Sequence, residues 1–160
     1  MVNLSSYAPL FAHVDGWQWT PDMIWFDNLR SMGTPNYYVQ KMYANNAGTK
    51  VVPMLLNGKP VTGQDGLFAS AAIDEKNNEI ILKVVNTTSA DKKLEVAFEG
   101  TNKLGSKAKA WVLSANSKDA MNTLDEPQKI SPQLVELSLS GKKLPLSLKP
   151  MSFVVVRVKK

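Results

Sequence analysis

The sequence predicts a mainly β protein: an antiparallel β-sandwich of jelly-roll or Greek-key type, preceded by a short strand–loop–helix segment. Three observations carry this. From Gly48 onward the chain is a succession of short runs rich in Val, Ile, Leu and Phe, separated by polar turns. Several runs alternate apolar and polar residues with period two, the pattern of an antiparallel sheet with one wet face. Residues 1–47 have a different chemistry. Three of the four tryptophans lie in GWQWTPDMIWFDN, Gly16–Asn28, and the segment has too few elements to close a core of its own.

Taken in order, SYAPLFAH is a short apolar run interrupted by Pro9, and WTPDMIWFDN is a second extended run. Thr34-Pro35-Asn36 is a helix-start signal, which predicts a helix over Asn36–Asn46. Tyr38, Met42 and Asn45 fall on one stripe of it, Tyr37 and Lys41 lie beside them, and Gly48 is the expected stop. The strand runs are Lys50–Leu56, Leu67–Asp74, Glu79–Asn86, Lys92–Phe98, Ala108–Ser114, Leu134–Leu139, Leu144–Leu148 and Ser152–Val158. In KKLEVAFEG, Leu94, Val96 and Phe98 oppose Lys93, Glu95, Ala97 and Glu99. In LVELSLS, Val135, Leu137 and Leu139 oppose Glu136, Ser138 and Ser140. EIILKVVN and SFVVVRV are apolar on both faces and read as central strands. Asp74–Asn78 and Ser140–Lys143 read as hairpin loops. The longer polar stretch Ser117–Pro132 reads as a crossover between sheets.

The net charge is +5, carried almost entirely by lysines spread along the chain; Arg30 and Arg157 are the only arginines. Nucleic-acid binders cluster basic residues on one face and favour Arg for forked contacts. The distribution therefore describes a solvated surface with lysines guarding strand edges, and no nucleic-acid partner is expected. No apolar run is long enough to span a bilayer, so no membrane partner is expected either. No signal-peptide pattern opens the chain: either it has no targeting signal, or it does not begin where the natural product begins. There are no cysteines, which excludes disulfides and thiol chemistry and leaves the compartment open.

The chemistry of catalysis is thin. His13 is the only histidine, and no Ser occupies a nucleophile elbow, so no triad can be assembled. A transition-metal site is not expected without Cys and with one His. Asn57, Asp65, Asp74 and Glu75 lack calcium-loop spacing and read as solvated turns. Asp15, Asp22 and Asp27 precede the sandwich and, beside Gly and Pro, read as turn and cap residues. No glutamate occurs before Glu75, and no phosphate loop or dinucleotide fingerprint is present. No catalytic residue, cofactor or metal is assigned. Trp111 and Trp25 read as core. Trp17 and Trp19 lie in a Gly-, Asp- and Pro-containing loop, where they serve either as a platform for a sugar ring or as a plug against a neighbouring surface.

The segments SSYAPLFAH, WTPDMIWFDN and PNYYVQKMYANNAG, followed by LFASAAIDEKNNEIILKVVN, NTLDEPQKI and LKPMSFVVVRVK, resemble the C-terminal region of α-L-arabinofuranosidases of glycoside hydrolase family 51. The resemblance covers essentially the whole chain, with Lys103–Lys109 its least distinctive part. It implies that residues 1–47 are the remnant of the last βα unit of a catalytic (β/α)8 barrel and that residues 48–160 are the C-terminal β-sandwich. SYAPLFAH is then the last barrel strand and His13–Asp22 the loop after it. Barrel active sites are built from such loops, so the resemblance places Trp19, with Trp17, Gln18 and Asp22 behind it, at the rim of a sugar pocket. It also implies a retaining mechanism with two glutamates on earlier barrel strands, neither of which this chain contains. The chain alone is therefore expected to be inactive, with the missing barrel as its partner in the same polypeptide. The implied substrates of the whole enzyme are terminal α-L-arabinofuranosyl groups of arabinan, arabinoxylan or arabino-oligosaccharides. The family's sandwich can recruit a strand from the enzyme's N-terminus, which would leave an open sheet edge here and a route to homo-oligomers. Two rival readings stay open: an independent carbohydrate-binding sandwich, and a purely structural or assembly domain.

Overall fold

The computed structural model describes residues 5–160; residues 1–4, the start of the expected first segment, lie outside the described residues. In chain order come β1 (Phe11–His13), β2 (Ile24–Phe26), β3 (Ser31–Gly33), the helix α1 (Pro35–Ala44), β4 (Lys50–Val52), β5 (Leu55–Leu56), β6 (Lys59–Pro60), β7 (Leu67–Asp74), β8 (Glu79–Asn86), β9 (Lys92–Ala97), β10 (Lys107–Ser114), β11 (Gln133–Ser138), β12 (Lys143–Leu148) and β13 (Ser152–Lys159). The principal sheet has the order β11-β10-β13-β8-β7-β4, antiparallel throughout. β9 and β12 pair with each other, as do β5 and β6.

The sandwich core follows from alternation. Leu82, Val84, Val154, Val156 and Val158 of the central strands meet Leu144, Leu146 and Leu148 of β12 in one buried cluster, with Leu94 and Val96 of β9 packed against it. The opposite face of the same central strands is also covered. Ile81, Phe153 and Val155 pack there with Met42 of α1 and with Leu113 and Ile130. Two buried faces explain why β8 and β13 are apolar at nearly every position.

Helix α1 begins as the sequence predicts. Thr34 is its N-cap, its hydroxyl accepting the Tyr37 N–H, and Pro35 occupies the first turn, where a missing N–H costs nothing. The helix ends at Ala44 with Asn45 as its cap, before the expected stop at Gly48. Gly48 answers a different constraint: a Cβ there would sit 2.4 Å from the Ala72 Cβ, so glycine is what lets the chain pass close over β7.

Four other expectations are corrected. Lys50–Leu56 is not one strand, because Pro53, lacking an N–H, separates β4 from β5. The first segment contains β3, which the sequence did not announce, and β1 occupies only the end of the SYAPLFAH run. Ser117–Pro132 does not cross between sheets, since β10 and β11 on either side of it are paired neighbours. The transfer to the other sheet occurs instead at Ser140–Lys143, whose two residues exchange backbone hydrogen bonds of 2.9 and 3.0 Å while the flanking β11 and β12 join different sheets.

The long loop after β10 folds back onto the N-terminal segment. Asn122, 1% exposed, donates to the Gly33 carbonyl at 2.8 Å and to the Ile130 carbonyl at 3.0 Å, and accepts the Ile130 N–H at 2.7 Å. Leu124 packs against the small cluster of Ala12, Trp25 and Met32. Asp125 pairs with Arg30 at 2.8 Å. The strand–loop–helix segment is thus held by this loop at its small sheet and by the outer face of the central strands at its helix.

Candidate functional site: the tryptophan loop

The small N-terminal sheet carries the loop. β1 and β2 run parallel, with Ala12 opposite Trp25, and β3 pairs antiparallel to β2, with Met32 also opposite Trp25. Trp25 is therefore the centre of this sheet and is buried, as its apolar flanks Ile24 and Phe26 predict. The loop leaves the C-terminal end of β1 and returns to the start of β2. Trp17 stands edge-on to Trp25, with ring centroids 5.9 Å apart at 74°. Its neighbour Trp19 makes no such ring contact among the described residues and is 62% exposed; Trp17 is 52% exposed and Gln18 is exposed as well. A buried indole thus props a second, half-exposed one, leaving two aromatic surfaces open to solvent. Leu10 just before β1, Phe11 on β1 and Leu29 in the β2–β3 turn are also exposed.

Three aspartates surround this sheet and behave differently. Asp27 is a turn residue as expected: it accepts the Leu29 and Arg30 N–H groups at 2.8 and 2.6 Å and pairs with the Arg30 guanidinium. Those backbone bonds, followed by the Arg30 fork, hold its carboxyl below the usual carboxylate range. Asp15 is exposed, its N–H donating to His13 Nδ1 at 3.2 Å, while the His13 ring packs edge-on against Phe26. Asp22 departs from the turn-and-cap reading. It is 2% exposed, and neither carboxylate oxygen has a hydrogen-bond partner among the described residues.

The structure brings Trp17, Gln18 and Trp19 together on one exposed loop and places Asp22 at its far end, inside. Two clefts formed by the described residues include none of the four. One of them, a cleft of about 720 Å³, lies between α1 and β10–β11 and is lined by Tyr38, Lys41, Trp111, Gln128, Gln133 and Arg157. Trp111 is only partly buried, packed against the outer core cluster, rather than fully in the core. Among the described residues no group of His, Cys, Asp and Glu is arranged to hold a metal ion, and no helix is long and apolar enough to cross a membrane.

Sequence reasoning missed an ion cluster at the back of the helix. Asp74, read as a solvated turn residue, and Glu79, read as the start of a strand, both receive the Arg157 guanidinium, whose Nη1 also donates to Asn46 Oδ1 at 3.1 Å. The missed signal was Arg157 itself, a lone arginine in a strand otherwise apolar at its centre.

The class of fold is an antiparallel β-sandwich domain led by an aromatic strand–loop–helix segment. The α-L-arabinofuranosidase C-terminal domain family matches residues 1–152, and the chain belongs to that family. It is 33% identical over 156 residues to alpha-L-arabinofuranosidase 2 of Arabidopsis thaliana, and 29% identical over 160 residues to alpha-L-arabinofuranosidase 1 of the same plant. Each alignment covers 96% of this chain and 23% of the relative. Among solved structures, an arabinose-bound family 51 α-L-arabinofuranosidase superposes with a TM-score of 0.85 at 27% identity, over 96% of this chain and 24% of that one. The family 51 enzyme of Thermotoga petrophila shares the fold, with a TM-score of 0.71 at 21% identity over 86% of this chain and 31% of that one. The chain therefore spans about a quarter of the length of the relatives it matches.

Proposed function

We propose that this chain is the C-terminal part of a retaining α-L-arabinofuranosidase, in which residues 1–47 complete a catalytic barrel and residues 48–160 form a sandwich that stabilises it. The observation that carries this reading is the pair of half-exposed indoles, Trp17 and Trp19, on the loop at the C-terminal end of β1. Loops at that end of the strands build barrel active sites, and indole faces stack on sugar rings. In this reading Trp19 is the principal sugar contact, Trp17 and Gln18 flank it, and Asp22 stands behind them. The acid/base and nucleophile glutamates come from the barrel, because two carboxylates at a defined separation are required and the N-terminal segment contains no glutamate at all. Substrates are terminal arabinofuranosyl groups of arabinan, arabinoxylan or arabino-oligosaccharides.

The test compares this chain with the same chain joined to its barrel, using an aryl α-L-arabinofuranoside. The chain alone gives no turnover and the joined polypeptide does. In the latter, Trp19→Ala lowers kcat/KM about tenfold or more, the effect of losing one stacking contact worth ~1.4 kcal/mol or more. Turnover by rigorously purified chain, or a Trp19→Ala variant with unchanged kinetics, overturns the proposal. The exposure of the same indoles also favours a second reading, a carbohydrate-binding module. That reading requires saturable binding of arabinan or xylan to the chain alone, lost in Trp17→Ala or Trp19→Ala, and a flat titration removes it.

A further inference from the structure

Asp22 is chemically unfinished. Among the described residues, its two oxygens are the only buried side-chain polar atoms without a hydrogen-bond partner. Burying an ionised carboxylate is unfavourable unless it is paired and hydrogen-bonded. The groups beside it are already committed. The Met23 N–H donates to the Pro9 carbonyl, and the Thr34 N–H and hydroxyl both donate to the Met23 carbonyl. Pro21, immediately before Asp22, has no N–H to give. Arg30, the one arginine of the N-terminal segment, is divided between Asp27 and Asp125. His13 Nδ1 is occupied as an acceptor. The N-terminal segment also exposes the large apolar side chains Leu10, Phe11, Trp17, Trp19 and Leu29 to solvent.

We infer that Asp22 is the receptor for a cationic side chain from the polypeptide that precedes this chain, and that this buried ion pair fastens the barrel to the segment carrying the tryptophan loop. A guanidinium is the best match. Both oxygens lack a partner among the described residues, and a planar fork of two N–H donors satisfies both at once, whereas a single ammonium satisfies fewer lone pairs. The inference rests on the reading that a barrel precedes this chain, and it adds the pairing that the bare fold leaves open. Asp22 acts as a positioning residue: it fixes the root of the loop, while Trp17 and Trp19 meet the sugar.

The experiment is a thermal melt of Asp22→Leu in two contexts. In the chain alone, the substitution removes a buried carboxyl that has no hydrogen-bond partner among the described residues and raises Tm. In the polypeptide joined to its barrel, it strands the partner cation and lowers Tm by about 5 °C or more. This reversal of sign is the signature of an outside partner. A lower Tm in both contexts means a local structural role, a higher Tm in both means no outside partner, and either overturns the inference. Should the chain alone give no cooperative melt, the structure of the joined protein decides. An Arg or Lys nitrogen within about 4 Å of the Asp22 carboxylate is expected, with rescue of Asp22→Arg by the matching reversal to Asp on the partner. A water or hydroxyl in that place overturns it. Turnover of the aryl arabinofuranoside by the joined protein is read alongside. Turnover with a raised Tm rejects the ion pair and keeps the enzyme reading; no turnover with a lowered Tm does the reverse.

Discussion

Arg157 shows how much one side chain in a strand can organise. It projects from the outer face of β13, 14% exposed at its side chain, and binds Asp74 and Glu79 at the two ends of the β7–β8 hairpin loop while reaching Asn46 after α1. Hydrogen bonds from Asn77, with the Arg157 charge, hold the Asp74 carboxyl below its ordinary 3.8. Burial pushes the Glu79 carboxyl up, but bonds from Lys159 and Arg157 outweigh it and leave it below its ordinary 4.5. Both groups bind protons more weakly folded than unfolded, so the unfolded chain takes up more protons in acid. Their contribution to stability is therefore complete above about pH 5 and is lost as the pH falls through 4.5 and below. Denaturant titrations of the wild type and Arg157→Met between pH 3 and 7 check this: the wild type loses stability steeply on the acid side, and the variant has a shallower slope there. None of this was legible locally. DEKNN reads as a wet turn by composition, and only the register of β13 against β8 brings an arginine to it.

At the scale of elements, the sequence was readable wherever burial follows a period. The runs EIILKVVN and SFVVVRV gave β8 and β13 as central strands, and TPNYYVQKMY gave α1 with Met42 on its buried stripe. The element that escaped was the loop after β10, because it has no period. Its apolar residues Ala120, Leu124 and Ile130 are scattered among polar ones, yet they enter two different core clusters. Asn122 is its anchor, with three hydrogen bonds that join the loop to itself and to the strand before α1. Asn122→Ala should destabilise the protein by about 2–4 kcal/mol, since it leaves buried backbone groups unpaired. The check is the urea midpoint. Because the loop holds the N-terminal sheet, the same variant should also increase acrylamide quenching of Trp25 fluorescence in a background where Trp17, Trp19 and Trp111 are each replaced by Phe.

For the whole molecule, the two parts of the chain differ in how completely they are packed. The principal sheet is covered on both faces over β8 and β13, with Val154, Val155, Val156 and Val158 fully buried. The N-terminal sheet has three strands of three residues each and one small cluster, with its other side open. Amide exchange of the chain alone should follow this order. The slowest amides belong to β8 and β13, and those of β1–β3 exchange at least a hundredfold faster, by local opening of roughly 3 kcal/mol less cost. Equal protection in the two regions would contradict the packing described here. Joining the barrel should slow β1–β3 selectively.

The sequence by itself determined the class of fold, the central strands, the helix and its N-cap, and the family, because each is written in residues close together in the chain. It also placed two tryptophans on a loop. The tertiary structure alone decided that the loop after β10 braces the N-terminal segment, that Arg157 gathers Asp74 and Glu79, and that Asp22 is buried without a partner among the described residues. Each of those depends on which distant segments meet. Burial and pairing across such distances are set by the packing of whole surfaces, and no local pattern of residues records them.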